Sequence, residues 1–201
     1  MNGSATEPVR RGRRPGAPDT RAAILAAARE QFAAQGFGGT TIRGVAGAAG
    51  VDPALVHHYF GTKHDLFVAA LELPIDPRDV IGPVVAEGLG GAAERLLTVF
   101  LGVWDDPALR PSLLGVVRGI LEPGGPQLIR DGFLPAIILP AATALGVDQP
   151  ERRMPFVASQ IFGLILARYV LEIEPLASMP AADVVAAVAP NIQRYFEMPL
   201  P

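Results

Sequence analysis

The sequence predicts an all-α protein, on three observations. Hydrophobic residues make up 50% of the chain and charged residues only 18%, which excludes a disordered polypeptide. Aromatic residues are few, at 6%, and small aliphatic residues dominate, which favours closely packed helices. From residue 19 onward apolar residues recur at helical spacing, whereas the period-2 alternation typical of strands is scarce.

Composition excludes several other classes of protein. The 201 residues include no cysteine, so disulfide scaffolds, thiolate zinc sites and cysteine nucleophiles are excluded. The longest apolar run, 133–147, contains two prolines and falls short of the roughly 20 residues that span a bilayer. No apolar stretch follows the N-terminal arginines as in a secretory signal. We therefore expect a cytoplasmic protein that does not enter a membrane.

The first predicted helices have recognisable ends. Asp19 is a candidate N-cap for a helix that ends at Gly36. Thr40 and Thr41 are candidate N-caps for a short second helix, which Gly50 closes. Residues 1–18 show no periodicity, and we expect them to form a flexible basic arm until bound.

Two further short helices precede a larger helical body. Pro53 suits the first turn of a third helix, which ends near Phe60. A fourth helix starts around Thr62 and ends before Pro74. Beyond it, longer apolar segments separated by Gly and Pro clusters predict helices over 77–88, 90–104, 107–121, 126–145, 151–173 and 180–197. We divide the chain into an arm (1–18), a DNA-binding domain (19–67) and a ligand-binding and dimerisation domain (68–201).

The charge is distributed unevenly along the chain. Residues 1–63 hold eight basic and four acidic residues, a net charge of +4, whereas residues 64–201 hold nine basic and sixteen acidic residues, a net charge of −7. Such asymmetry is typical of a nucleic-acid-facing end joined to a body that avoids polyanions. Solvated surface charge without a partner is the alternative explanation.

The spacing of three residues indicates a helix-turn-helix. Two short helices that meet near a right angle need a small residue where their backbones approach, and Ala46 provides it. Gly50 tolerates the positive φ of the turn, and Val56 can fix the second helix against the first. A structural corner between two helices, without DNA binding, satisfies the same spacing.

The whole segment adds a family resemblance. Residues 40–67, which read TTIRGVAGAAGVDPALVHHYFGTKHDLF, closely resemble the DNA-binding signature of the TetR family of transcriptional regulators. The preceding helix, with Ile24, Leu25, Phe32 and Gly36-Phe37, fits as well. The chain has His57 and Tyr59 where many members place Tyr and His, respectively. The resemblance implies a homodimeric regulator, usually a repressor, that binds a palindromic operator in double-stranded DNA, needs no cofactor and is released by a small effector.

The third helix would then enter the major groove. Its candidate DNA-facing residues are Pro53, Ala54, Leu55, His57, His58 and Tyr59. Thr41 and Lys63 suit phosphate groups, which position a protein without reading sequence, and Arg43 adds a further basic contact. In the arm, Arg11, Arg13 and Arg14 are candidates for the minor groove or for phosphates. A solubilising tail is the alternative for these arginines.

In the body, polar and aromatic side chains within aliphatic helices are candidates for a mainly hydrophobic effector pocket. They are Trp104, Arg118, Phe133, Gln160, Phe162 and Arg168. Core packing is the alternative for each aromatic residue. The two arginines are costly to bury unless they are paired, and either an anionic ligand or a carboxylate such as Glu122 or Glu172 would pair them.

The last two predicted helices suit a dimer interface. Small residues on them permit close helix approach: Ala158, Gly163, Ala167, Ala182, Ala186 and Ala189. The same pair from a second subunit would complete a four-helix bundle. Internal packing alone is the alternative.

No constellation in the sequence indicates an enzyme. Residues 88–93 match a G-x-G-x-x-A dinucleotide fingerprint, but no strand is predicted before them, so we expect a turn between helices. His57, His58 and His64 are close in sequence, yet Gly61 interrupts the geometry that a metal site needs. Two alternatives to an effector-controlled regulator stay open: a helix-turn-helix protein without an effector, and a helical ligand- or nucleotide-binding enzyme.

Overall fold

A computed structural model describes residues 19–199, which form ten helices and no strand. The all-α prediction is confirmed. No helix in this part of the chain combines the length and the apolar character needed to cross a membrane. The helices are α1 Thr20–Gly39, α2 Ile42–Ala49, α3 Pro53–Phe60, α4 Lys63–Ala70, α5 Pro77–Ala86, α6 Ala92–Asp105, α7 Arg110–Leu121, α8 (125–144), α9 (150–170) and α10 Ala181–Glu197.

Helices α8 and α9 differ from the regular α-helices that the sequence predicts over 126–145 and 151–173. Helix α8 consists of α-helical Gly125–Leu128, π-helical Ile129–Ile138 and α-helical Leu139–Ala144, and α9 consists of α-helical Pro150–Ile165 and π-helical Leu166–Val170. Pro135 lies inside the wide turns of α8 and cannot donate a backbone hydrogen bond, which disfavours the regular α pattern there.

The first two helices begin at polar caps. Asp19 accepts a hydrogen bond from the Arg21 amide, and Thr41 accepts one from the Gly44 amide. Of the predicted caps, Asp19 and Thr41 are confirmed, whereas Thr40 is buried and donates its hydroxyl to the Gly36 carbonyl. Helical geometry breaks at Gly36, as predicted, although three further residues continue in a helical turn beyond it to Gly39.

The N-terminal core is built around aromatic rings from α1 and α4. Phe32 is fully buried and packs edge-to-face against Phe67, with ring centroids 4.9 Å apart. Phe37 lies parallel to Phe32 and also packs edge-to-face against Phe67, with ring centroids 5.4 Å apart. The core also includes Ala136 and Ile137 of α8, which are both buried. Helix α8 therefore completes the core of the N-terminal helices.

The larger core belongs to the body and is centred on α6 and α10. Leu97 and Leu101 of α6 are fully buried, as is Ile192 of α10. Gln193 ties the two helices together: its side-chain oxygen accepts from the Ala93 amide and its nitrogen donates to the Leu89 carbonyl. Residues 88–93 form the predicted turn between two helices, and α5, not a strand, precedes them.

Candidate nucleic-acid interface

Helices α2 and α3 form the predicted corner. Gly50 ends α2 in the left-handed conformation, with φ +67°, where a residue with a Cβ is strained. The Val51 amide then donates to the Ala46 carbonyl at 2.9 Å, and Ala46 is fully buried. The spacing of glycine and alanine therefore places α3 directly after a tight turn.

Helix α3 turns one side inward and leaves the rest exposed. Val56 is fully buried and Phe60 is buried beside it, so these two residues anchor the helix to the N-terminal core. Asp52 caps the helix by accepting from the Ala54 amide at 2.8 Å, and Pro53 occupies its first turn. Among the predicted DNA-facing residues, Pro53 is half-buried, and the exposed ones are Ala54, Leu55, His57, His58 and Tyr59.

The two adjacent histidines of α3 have different surroundings. The Nδ1 atom of His57 lies 2.8 Å from the carbonyl oxygen of Gly61, which can only accept a hydrogen bond. Nδ1 therefore carries the proton and donates it to that carbonyl. The ring of His58 instead lies against the ring of Tyr59, with centroids 5.5 Å apart.

The residues predicted to contact phosphate flank this helix. Thr41 is exposed at the start of α2, where its oxygen accepts from the Gly44 amide, and Arg43 is exposed two residues further on. The Lys63 ammonium lies 4.5 Å from the centre of the Phe37 ring, and partial burial lowers the pKa of Lys63. The candidates Arg11, Arg13 and Arg14 lie outside the described residues.

Sequence reasoning missed an ionic network between α4 and α5. Thr62 and Asp65 cap α4 reciprocally, a pattern that the T-x-x-D spacing could have revealed. Arg78 donates to Asp65 at 2.7 Å and to Asp76 at 2.7 Å. Hydrogen bonds from Thr62 first, and then from Arg78, lower the pKa of Asp65 to about 2. The network links the first turn of α4 to the body.

A second missed link joins α1 to the end of α4. The Arg29 Nε atom donates to the Ala70 carbonyl at 2.9 Å, and the guanidinium pairs with Glu72. No motif in the sequence indicates this contact, because the partners are 41 and 43 positions apart. Both links hold α4, and through it the packing of the N-terminal helices, to neighbouring elements.

The predicted effector residues do not come together at one site. Phe133 packs against the N-terminal core, whereas Phe162 packs against the body core. Gln160 is half-buried on α9, and Arg118 is exposed on α7, so the reasoning that a buried Arg118 needs a partner does not apply. Trp104 is buried and stacks on Tyr169, with ring centroids 5.0 Å apart.

Arg168 is the buried arginine of the predicted pair, with 7% of its surface exposed. It donates to the carbonyls of Leu176 at 2.6 Å and Met179 at 2.8 Å, and its nearest carboxylate is Asp105 at 3.5 Å. The pairing with Glu122 or Glu172 that the sequence suggests is therefore wrong. Protein groups from the segment after α9 and from α6 provide the partners instead.

Tyr169 completes this cluster. Its hydroxyl donates to Asp105 at 3.0 Å. Burial first, and the neighbouring Asp105 second, raise the pKa of Tyr169 to about 12. The hydroxyl therefore stays protonated at neutral pH and holds Asp105 beside Arg168.

Two surface clefts involve none of the predicted effector residues. One lies between α1 and the end of α4 and is lined by Leu25, Val68 and Glu72, among others. The other lies at the start of α9 and is lined by Asp148, Arg152 and Glu197, among others.

Comparison with known proteins identifies the class of this chain. A family model described as bacterial regulatory proteins of the tetR family matches residues 24–70. A second, described as the tetracyclin repressor-like C-terminal domain, matches residues 90–196. The two matches divide the chain as its N-terminal helices and its body do, and the second alone covers more than half of it.

Individual relatives agree with this assignment. A TetR-family regulator from Streptomyces coelicolor, SCO0857, is 38% identical over 92% of this chain and 98% of its own, with a TM-score of 0.45. The regulator HbdR of Aromatoleum sp. is 37% identical over 73 residues, 36% of this chain and 32% of its own length. The repressor SCO4008 of Streptomyces coelicolor is 35% identical over 72 residues, 31% of this chain and 38% of its own length. The chain thus spans less than two fifths of these two curated relatives.

The chain belongs to the TetR family of transcriptional regulators and carries its DNA-binding helix-turn-helix. Members of this family regulate transcription and are not enzymes, so the matches confirm the regulator class that the sequence indicates.

Proposed function

We propose that this protein is a cytoplasmic repressor that binds a palindromic operator as a homodimer and releases it when a small, mainly hydrophobic effector binds the body. The observation that carries the proposal is the outward presentation of α3. Val56 and Phe60 anchor the helix to the core, while Ala54, Leu55 and His58 remain exposed. A helix held in this way can enter the major groove without disturbing the core.

The dimer is supported by a stripe along α9. Phe156, Ser159, Gly163, Leu166 and Val170 recur at intervals of three and four residues and are all exposed. Phe156, Leu166 and Val170 are large apolar residues, and their exposure to water is unfavourable. Gly163 allows a second helix to approach closely. On α10, the predicted interface residues Ala182 and Ala186 are exposed as well, whereas Ala189 is buried in the core.

The flanking contacts of the interface are part of this proposal. Thr41, Arg43, Lys63 and Tyr59 would meet phosphates on either side of the groove, and Arg11, Arg13 and Arg14 of the arm would reach a neighbouring minor groove or backbone. Removal of residues 1–16 should then weaken binding and flatten its dependence on salt. Equal affinity for the full-length and shortened chains at every salt concentration would contradict the role of the arm.

Selection of bound duplexes from a random DNA pool, with the purified full-length chain, tests the proposal. We expect palindromic sites whose half-sites lie about one helical turn apart, as two recognition helices related by a two-fold axis require. The affinity for the selected site should fall steeply with salt, because released counterions accompany phosphate contacts. Recovery of no preferred sequence, or of sites without two-fold symmetry, would contradict it.

A regulator without an effector is the second candidate, and the packing of Trp104 favours it. This side chain stacks on Tyr169 and lies 5.9 Å from Phe100, so core partners occupy its ring. Trp104 is the single tryptophan of the chain, so its fluorescence reports on this region alone. Anilinonaphthalene sulfonate, an apolar fluorescent probe, should quench Trp104 and release the operator if an apolar pocket opens there. Unchanged fluorescence and operator affinity at saturation would favour the second candidate.

A further inference from the structure

The exposed side of α3 has a centre and two flanks. Residues of an α-helix follow one another at about 100° around its axis. Since Val56 and Phe60 define the inward direction, Ala54 and His58, four residues apart, lie on the opposite side. His57 and Tyr59 lie on the two flanks. Among the side chains of the central strip, only His58 can form a hydrogen bond, because Ala54 and its neighbour Leu55 are apolar.

His57 is held by the end of its own helix. Its Nδ1–H donates to the Gly61 carbonyl at 2.8 Å, and the Gly61 amide donates back to the His57 carbonyl at 2.8 Å. This pair of hydrogen bonds fixes the ring orientation and ties it to the C-terminal end of α3. One ring nitrogen is consequently engaged within the protein.

His58 has no such restraint. In the described part of the chain its ring meets the ring of Tyr59 edge to face, and neither ring nitrogen has a hydrogen-bond partner. The ring of His58 packs against Tyr59 on one side, and its nitrogens have no hydrogen-bond partner among the described residues. Such a ring can form a hydrogen bond with a group outside the protein. In the neutral state it offers one N–H, and in the charged state two.

We propose that His58 reads a base edge in the major groove, and that His57 is a positioning residue that fixes the end of α3. The N–H of His58 would donate to the N7 atom of a purine, with O6 as a further acceptor when the purine is guanine. Ala54 beside it leaves room for the base or contacts a thymine methyl group. This inference rests on the proposed operator binding and assigns the base preference at one position of each half-site to a single side chain per subunit.

The test measures base preference and overall affinity separately, with the full-length chain. Sites are selected from the random pool with the unaltered chain, and every single-base variant of the preferred half-site is then titrated. We expect a purine at one position of each half-site, favoured about fivefold to tenfold over pyrimidines. His58→Ala should reduce this preference to less than twofold and leave the other positions unchanged.

Two matched variants distinguish hydrogen bonding from packing. His58→Phe keeps a ring against Tyr59 but cannot donate, so it should lose the purine preference as His58→Ala does. His57→Ala should instead weaken the binding of every sequence by a similar factor and keep the preference. His57→Asn, whose amide can donate to the Gly61 carbonyl in place of Nδ1, should restore the affinity.

Three outcomes overturn the assignment. The preference persists in either His58 variant, or it disappears in His57→Ala, or His57→Asn binds no better than His57→Ala. Selection of no site by the unaltered chain would instead overturn the proposed operator binding itself, and the assignment with it. Circular dichroism of each variant checks that the exposed substitutions leave the helices intact.

Discussion

The N-terminal helices and the body differ in the sequence separation of their main polar contacts. In the N-terminal helices, Asp19, Thr41 and Asp52 each accept from a backbone amide two or three residues further along the chain. In the body, the important polar contacts join distant residues: Arg168 meets Asp105 across 63 positions, and Arg153 donates to the Tyr195 carbonyl across 42. Local caps fix where the N-terminal helices begin, whereas long-range contacts close the core of the body. A sequence pattern can therefore indicate the former but not the latter.

The two regions are joined through α8. Ala136 and Ile137 are buried in the N-terminal core, whereas Ala142 and Leu145, at and just beyond its end, are buried in the body core. Since one helix contributes to both cores, we expect the regions to unfold together. The predictions below test this expectation and the contrast between local and long-range contacts.

The largest effect is expected at Phe32. Phe32→Ala removes a fully buried ring from the N-terminal core and should lower the free energy of unfolding by about 4 kcal/mol. Because α8 couples the cores, the fluorescence of Trp104 in the body should shift to a lower urea midpoint together with the circular dichroism signal. Both are followed at one fixed protein concentration. A Trp104 transition that stays in place while part of the helical signal is lost earlier would show that the regions unfold separately.

Arg168 and Arg118 provide the next comparison. Arg168→Met leaves the carbonyls of Leu176 and Met179, and the carboxylate of Asp105, without their cation, and should cost about 3 kcal/mol of stability in urea unfolding. Arg118→Met changes an exposed side chain on α7 and should cost less than about 0.5 kcal/mol. Similar losses in the two variants would mean that the buried contacts of Arg168 contribute little.

Gly132 tests the joint between the regions. A Cβ atom at this position would lie 2.8 Å from the Phe67 ring, which is fully buried and packed against Phe32. Gly132→Ala should therefore lower the free energy of unfolding by about 2 kcal/mol. The affinity for the operator should also fall, because the displaced Phe67 ring shifts α4. Gly115→Ala is the control, because a Cβ there meets no atom within 4 Å and alanine favours a helix. A Gly132→Ala protein as stable as the control would exclude a tight joint.

The smallest effect concerns the link between α4 and α5, and it depends on pH. Asp65 has a folded-state pKa of about 2, below its ordinary 3.8, so the charged carboxylate stabilises the fold above about pH 4. This contribution is lost as the pH falls from about 4 to about 2. Asp65→Asn should cost about 1 kcal/mol at pH 7, since solvent screens the partly exposed network, and less at pH 3.

The control for Asp65 is Glu30→Gln, an exposed position in the middle of α1. Glu30→Gln should lower the free energy of unfolding by less than about 0.5 kcal/mol. Urea titrations at pH 7 and at pH 3 compare the two variants. A cost for Asp65→Asn that does not change between pH 7 and pH 3 would show that its charge plays no part.

Much of the N-terminal region could be predicted because its signals are local. Pro53 and Gly50 mark the start of α3 and the turn before it, and both agree with the structure. The π-helical turns of α8 could not be predicted from the sequence. A proline within an apolar run indicates only that a regular α-helix is disfavoured there, and not which geometry replaces it. The exposure of Arg118 and the burial of Arg168 could not be distinguished, because both arginines stand among aliphatic residues in the sequence.

By itself the sequence determined the helical class, the cap of α2, the turn at Gly50 and the start of α3 at Pro53. These depend on backbone preferences and on partners within a few positions. Only the tertiary structure decided that α8 completes two cores, that Asp105 rather than a glutamate faces Arg168, and that His57 and His58 differ in their hydrogen bonds. Each of these depends on contacts that form only once the helices have packed or ended, such as the approach of Arg168 to Asp105 at 3.5 Å.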